Sequence, residues 1–175
     1  DKIDTGDILI QEKIKIDKKI NAGELHDKLK LIGASIVEKT LKGILENSLK
    51  RVKQTQKNNF NTAYKFDKKN IKIDWNQNCL EIYNKIRGLS PYPGAKTSLV
   101  SKSGETVNSI FYESEYLVER HNHINGKIIH EKGKIKITCK NGYLIIKNLK
   151  IEGKRRMDTE SLLNGFKIEK YETVK

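Results

Sequence analysis

The chain has 175 residues, room for one ordinary domain or for one domain plus part of another. Its 35 Lys and Arg outnumber 22 Asp and Glu, giving a net charge of +13 and a pI near 9.6. That balance invites a polyanionic partner, whereas two well-separated cysteines without a CxxC pair argue against a disulfide framework or a zinc ribbon, and no apolar run approaches the roughly twenty residues of a membrane span.

Ile8, Ile10, Ile14 and Ile16 alternate with polar residues, the period-two pattern of a half-buried strand or strand pair. Asn21 with Glu24 three residues later reads as a capping box. Leu25, Leu29, Ile32, Ile36, Leu41 and Ile44 follow at helical spacing and predict one long helix ending near Asn47. A strand pair and one helix enclose no core, so the first 50 residues read as the end of a larger α/β domain. The next stretch, 51–66, has few apolar anchors and many Lys, Gln, Asn and Thr, as a linker does. After Trp75 a shorter helix is predicted, starting at Asn76 or Asn78 with Leu80, Tyr83, Ile86 and Leu89 along one side. Pro91, Pro93 and Gly94 stop it. The remainder reads as β, with strands at 95–100, 107–118, 126–130, 134–139 and 143–149 and a brief helix at 158–164. Gly104, Asn125-Gly126, Gly133 and Asn141-Gly142 punctuate the strands, and short strands with turn signals about every ten residues predict a small barrel.

Several residues carry possible chemistry. Asp4-Thr5-Gly6-Asp7 sets carboxylates on a glycine turn, where a carboxylate can approach a substrate closely; the plainer reading is an Asx-type turn. His26 beside Asp27 on the long helix reads as a hydrogen-bonding pair. The sequence His121-Asn122-His123 has no carboxylate or thiol at ligand spacing and reads as a polar loop, so no metal is expected. Lys154-Arg155-Arg156 follows the last long strand in a chain with only five arginines, and guanidinium forks bind phosphates bidentately. A solvated loop paired with Asp158 or Glu160 is the alternative. Lys65, Lys68, Lys69 and Lys72 form a second basic strip, and Arg87 lies beside the apolar face of the second helix, where an ion pair competes with an RNA contact. Trp75 and Tyr92 could stack on bases, although Trp75 reads more simply as core. The whole charge has a bland explanation too, since a chain rich in Lys, Asn and Ile is what an AT-rich genome encodes. Its distribution favours a located surface: residues 1–60 hold 13 basic and 9 acidic side chains, residues 61–175 hold 22 and 13.

In order along the chain, Asp4-Thr5-Gly6-Asp7-Ile8-Leu9, Ala22-Gly23-Glu24-Leu25-His26-Asp27-Lys28-Leu29, Thr62-Ala63-Tyr64-Lys65-Phe66, Ile73-Asp74-Trp75, Ile86-Arg87-Gly88-Leu89-Ser90-Pro91-Tyr92-Pro93-Gly94-Ala95, Glu152-Gly153-Lys154-Arg155-Arg156-Met157 and Leu163-Asn164-Gly165 resemble the C-terminal part of bacterial methionyl-tRNA formyltransferases. The resemblance implies an α+β chain. Residues 1–50 would end a Rossmann-like α/β formyltransferase domain, 51–66 would be a linker, and 67–175 would form an OB-like β-barrel with short helices that binds tRNA. It implies transfer of a formyl group from 10-formyltetrahydrofolate to the amino group of methionyl initiator tRNA, in the cytoplasm and by a monomer. Asp4 would be one of three catalytic residues. The catalytic Asn and His, and most of the folate pocket, would lie upstream of Asp1, where further sequence is expected because the chain does not open on Met. The stretch alone is therefore expected to be inactive. Lys154, Arg155, Arg156, Lys65, Lys68, Lys69, Lys72 and Arg87 are the tRNA-facing candidates. Two alternatives stand beside this reading: a related formyl-group enzyme, such as a formyltetrahydrofolate dehydrogenase or a sugar formyltransferase, and an RNA-binding module without catalysis.

Overall fold

The computed structural model describes residues 3–54, 63, 65–67 and 69–175. It divides into two compact units, Asp1–Ile20 with Glu24–Lys65 and Asn21–Gly23 with Phe66–Lys175.

Most of the first unit's regular structure lies in one helix, α1 (Ala22–Leu45). Its end is built from local bonds. Asn47 takes a left-handed φ of 51°, Ser48 N–H donates to Gly43 O at 2.9 Å, and Asn47 N–H donates to Ile44 O at 3.2 Å. These are the two bonds of a Schellman motif, with Asn in the position that glycine more often fills. The expected strand pair within 8–16 does not form. Only Ile8 pairs, and its partner is Val52, through Ile8 N–H to Val52 O at 2.8 Å and Val52 N–H to Ile8 O at 3.0 Å. Alternation marks a residue as suited to pairing but does not name the partner, and here the partner stands at the head of the expected linker.

The second unit holds the core. Helix α2 (Cys79–Leu89) opens on a capping box, in which Asn78 N–H donates to Glu81 Oε2 at 2.9 Å. Strands β1 (Ala95–Ser101), β2 (Thr106–Val118), β3 (Ile128–Glu131), β4 (Lys134–Cys139), β5 (Gly142–Ile151), β6 (Met157–Asp158) and β7 (Tyr171–Val174) form one antiparallel sheet of order β3-β4-β5-β2-β1-β7, with β6 on β5. A short helix α3 (Thr159–Leu163) precedes β7. The sheet nearly closes into a barrel: Lys127 bridges Thr173, and Val174 N–H donates to Gly126 O at 2.8 Å. Gly126 is required there, since its φ is +81° and a Cβ would stand 2.9 Å from Val174 O.

Phe111, Leu99, Ile137, Leu144, Ile146, Leu149 and Ile151 fill the interior. The buried face of α2 is Cys79, Ile82, Ile86 and Leu89, whereas Leu80 is 46% exposed. The sequence pattern thus placed the helix but mis-set its phase at Leu80, because an apolar stripe of period 3.6 can be drawn through either neighbour when both are apolar. Trp75 is core, its Nε1–H donating to Thr97 Oγ1 at 3.1 Å and its ring meeting Phe111 edge-on. The β4–β5 hairpin forms as expected, but Cys139 pairs with Gly142, so Lys140-Asn141 is the turn. Gly142 serves packing instead: a Cβ there would strike the Leu117 backbone on β2.

Candidate nucleic-acid interface

Side chains alternate across a strand, so burial of Thr97, Leu99, Ser109, Phe111, Leu149 and Ile151 forces Lys96, Ser98, Asn108, Ile110 and Lys150 to the outer face. The register then aligns them. Lys96 on β1 is opposite Ile110 on β2, which is opposite Lys150 on β5. The extended segment before α2 adds one more rung, because Lys72 bridges Lys96 through Ile73 N–H to Lys96 O and Lys96 N–H to Ile71 O, both at 2.9 Å. The result is a row of Lys72, Lys96, Ile110 and Lys150, lining a depression of about 560 Å³. Among the described residues none of the three lysines forms an ion pair. The next row is polar and internally bonded: Ser98 Oγ donates to Asn108 Oδ1 at 3.1 Å, and Asn108 Nδ2 donates to Glu152 Oε2 at 2.9 Å. Glu152 thus brings one fixed carboxylate to the edge of an otherwise cationic surface.

A bulge sets the neighbouring feature. The β2–β5 register shifts between Phe111 and Glu113, leaving Tyr112 unpaired. The Arg156 guanidinium stacks 4.2 Å above the Tyr112 ring, and its Nε–H donates to Asn148 Oδ1 at 2.6 Å. Stacking and one hydrogen bond through Nε orient the fork of this exposed arginine, and its Nη groups make no hydrogen bond among the described residues, which leaves them available to an anion. Lys154 and Arg155 are exposed beside it, on the turn closed by Lys154 N–H to Ile151 O at 2.9 Å. Of the two alternative partners expected, Asp158 and Glu160, neither forms an ion pair among the described residues, and Asp158 is otherwise engaged. It caps α3 by accepting from the Ser161 N–H and hydroxyl, both at 2.8 Å, and these bonds hold its carboxyl below the usual range.

The other predicted cations lie elsewhere. Arg87 sits on α2, where Nε–H donates to Asn84 Oδ1 at 2.8 Å and the guanidinium lies 6.0 Å from the Tyr83 ring. Lys69 occupies a turn organised by Asp67, Lys65 belongs to the first unit, and Lys68 lies outside the described residues. Lys96 and Lys150 were not singled out in the sequence. Their outward phase was legible, but the strand order that aligns them with Lys72 was not.

Asp4, in the first unit, has φ +60° and is exposed; Gln54 Nε2 donates to Asp4 O at 3.1 Å and to Gly6 O at 2.8 Å. His26 and Asp27 form an exposed pair at 3.2 Å. His121 is structural: Nε2 lies 2.8 Å from Cys139 O and 3.1 Å from Gly142 O, while Nδ1 accepts from His123 N–H at 3.3 Å. Cys79 and Cys139, distant in sequence, are both buried and free, their thiols lie near enough to influence one another, and Cys139 Sγ–H donates to Gly142 O at 3.2 Å. Burial raises both thiol pKa values, and Cys139 is pushed up to about 12 by desolvation and by the neighbouring Cys79.

Residues 65–167 match the sequence profile of the family described as "Formyl transferase, C-terminal domain". The chain belongs to this family. The match spans the lysine row, Arg87 and Lys154-Arg155-Arg156, so the barrel that carries them is the formyl transferase C-terminal domain; Asp4 and Gln54 lie before it. The methionyl-tRNA formyltransferase of Flavobacterium johnsoniae is 44% identical over 166 residues, covering 95% of this chain and 52% of that protein. That of Clostridium tetani is 37% identical over 169 residues, covering 96% and 53%. The chain spans about half the length of the curated relatives it matches. Among solved structures, a HypX variant from Aquifex aeolicus shares the fold with a TM-score of 0.64 at 17% identity, over 93% of this chain and 29% of that one. WlaRD, a sugar 3N-formyl transferase solved in the presence of dTDP and 5-N-formyl-THF, aligns with a TM-score of 0.53 at 26% identity, over 88% and 52%. Among the described residues no helix is long and apolar enough to cross a membrane, and no cluster of three His, Cys, Asp or Glu could hold a metal.

Proposed function

We propose that this chain is the C-terminal half of a methionyl-tRNA formyltransferase, working in the cytoplasm as a monomer, and that its barrel grips initiator tRNA by the phosphate backbone. The observation that carries the reading is the row of Lys72, Lys96 and Lys150, which form no ion pair among the described residues, beside the oriented Arg156, on a barrel whose relatives bear that name. Cations held at strand spacing with no carboxylate partner keep their full charge for phosphates and release condensed counterions on binding. Lys154 and Arg155 extend the same surface. In this reading Asp4 is the catalytic carboxylate. Residues upstream supply the Asn, the His and most of the site for 10-formyltetrahydrofolate, so the 175-residue chain binds tRNA but does not formylate it. A carboxylate in that role orients an imidazole and stabilises the positive charge it gains as the methionyl amine attacks the formyl carbon.

The curated relatives, at 44% and 37% identity, favour this reading over the alternative, in which the acceptor is an amino sugar on a nucleotide and whose nearest support is the 26% identity to WlaRD. The two separate in one experiment. The full-length protein is given labelled 10-formyltetrahydrofolate with either methionyl-tRNA or an amino-sugar nucleotide. Label in acid-precipitable tRNA supports the first reading; label only in the sugar overturns it.

A further inference from the structure

We propose that Gln54 is a positioning residue that holds the Asp4 turn in its working conformation. The proposal rests on the reading of Asp4 as the catalytic carboxylate. Asp4 occupies the left-handed region at φ +60°, a conformation that residues other than glycine seldom adopt and that persists where neighbouring structure fixes it. One side chain does so. Gln54 Nε2 donates to the carbonyls of both Asp4 and Gly6, at 3.1 and 2.8 Å, clamping the two ends of the Asp4-Thr5-Gly6 turn.

The clamp follows from register. Ile8 and Val52 form a two-bond antiparallel bridge, and continuing that register would set Gly6 opposite Gln54. The backbone ladder stops there, and the Gln54 carboxamide takes the place of the next rung. A side-chain amide suits the task for two reasons. It offers two N–H groups from one nitrogen, enough for two carbonyls. It is also uncharged, so it fixes the backbone beside a working carboxylate without adding a charge that would shift its ionisation. A glutamate would face two carbonyls with no proton to donate, and a lysine would add a cation beside Asp4. The bonds come from a residue 50 positions away, so the turn's shape is not a local property of Asp4-Thr5-Gly6-Asp7.

The test is a double-mutant cycle in the full-length enzyme, read as formylation of methionyl-tRNA with 10-formyltetrahydrofolate. Gln54→Ala is expected to lower kcat by roughly ten- to a hundred-fold, the scale of a small misplacement of a reacting group, with KM for methionyl-tRNA unchanged. Gln54→Asn, which keeps the amide on a shorter stem, is expected to recover part of the loss. In an Asp4→Asn background, Gln54→Ala is expected to cost nothing further, because the clamp has no carboxylate left to position. Gln54 is exposed, so both variants are expected to melt within a few degrees of the parent. An unchanged kcat for Gln54→Ala, or the same fold-loss with and without Asp4, overturns the proposal while leaving the role of Asp4 intact. If Asp4→Asn itself retains full turnover, the catalytic reading of Asp4 falls, and the proposal with it.

Discussion

The two long helical segments of this chain carry equally clear apolar patterns and meet different fates. Helix α2 buries Cys79, Ile82, Ile86 and Leu89 against the barrel, while α1, more than twice as long, buries only Gly43 among the described residues. On the apolar stripe of α1, Leu29 is 47%, Leu41 58% and Ile44 51% exposed, against 0% for Ile82 on α2. Periodicity therefore reports what a helix is prepared to bury and not whether a partner covers it. Contiguous exposed apolar surface of this kind marks an interaction face, and the proposed formyltransferase reading assigns that face to the upstream part of the catalytic domain.

The largest expected effect breaks this contrast at its two ends. In the 175-residue chain, Ile82→Ala should destabilise the barrel by about 2–5 kcal/mol, because it removes buried methylenes and leaves a cavity. Leu41→Ala, on the exposed stripe of α1, should stay within about 0.5 kcal/mol. Denaturant unfolding checks both, with the fluorescence of Trp75, the only tryptophan, reporting the barrel and far-UV circular dichroism reporting α1. Equal costs would mean that α1 is covered in solution.

The next contrast concerns charge. Reversal of Lys72, Lys96 and Lys150 to Glu should weaken tRNA binding and flatten the log–log salt dependence by roughly one unit for each phosphate no longer neutralised. The same reversal at Lys13, Lys15 and Lys18 removes equal charge from the first unit and should do far less. Anisotropy titrations of labelled tRNA at several salt concentrations decide this, and equal losses would mean that net charge alone explains the binding.

A smaller effect is confined to the barrel, where both cysteines reside. With its pKa pushed up to about 12, Cys139 stays a neutral thiol in the folded chain at pH values where the unfolded chain ionises it. A raised folded pKa gives stability that is complete below the unfolded value, near 8.5, and is lost as pH rises toward 12. The barrel's unfolding midpoint should therefore fall across that window, more shallowly in Cys139→Ala, and Ellman's reagent should react with neither thiol before unfolding. The smallest effect is at Glu152. Glu152→Gln removes a carboxylate fixed beside the lysine row and should tighten tRNA binding by about two-fold at physiological salt, where screening limits a single exposed charge.

Much of the architecture was legible without coordinates. Local rules determined α1 to within two residues of its end, the start of α2 beside Asn78, the β4–β5 hairpin and the barrel's first five strands, because capping, turn chemistry and alternation are properties of neighbouring residues. The motifs from Asp4-Thr5-Gly6 to Lys154-Arg155-Arg156 carried the family. Short-range pattern said nothing about which distant segments would meet. Strand order aligned Lys72, Lys96 and Lys150, a bulge turned Tyr112 under Arg156, and the Ile8–Val52 bridge brought Gln54 to the Asp4 turn. The same is true of the two thiols, which sequence spacing separated and the barrel core brought together. Each of these depends on contacts between residues far apart in the chain, selected by how one buried core closes, and that selection is made by the tertiary structure.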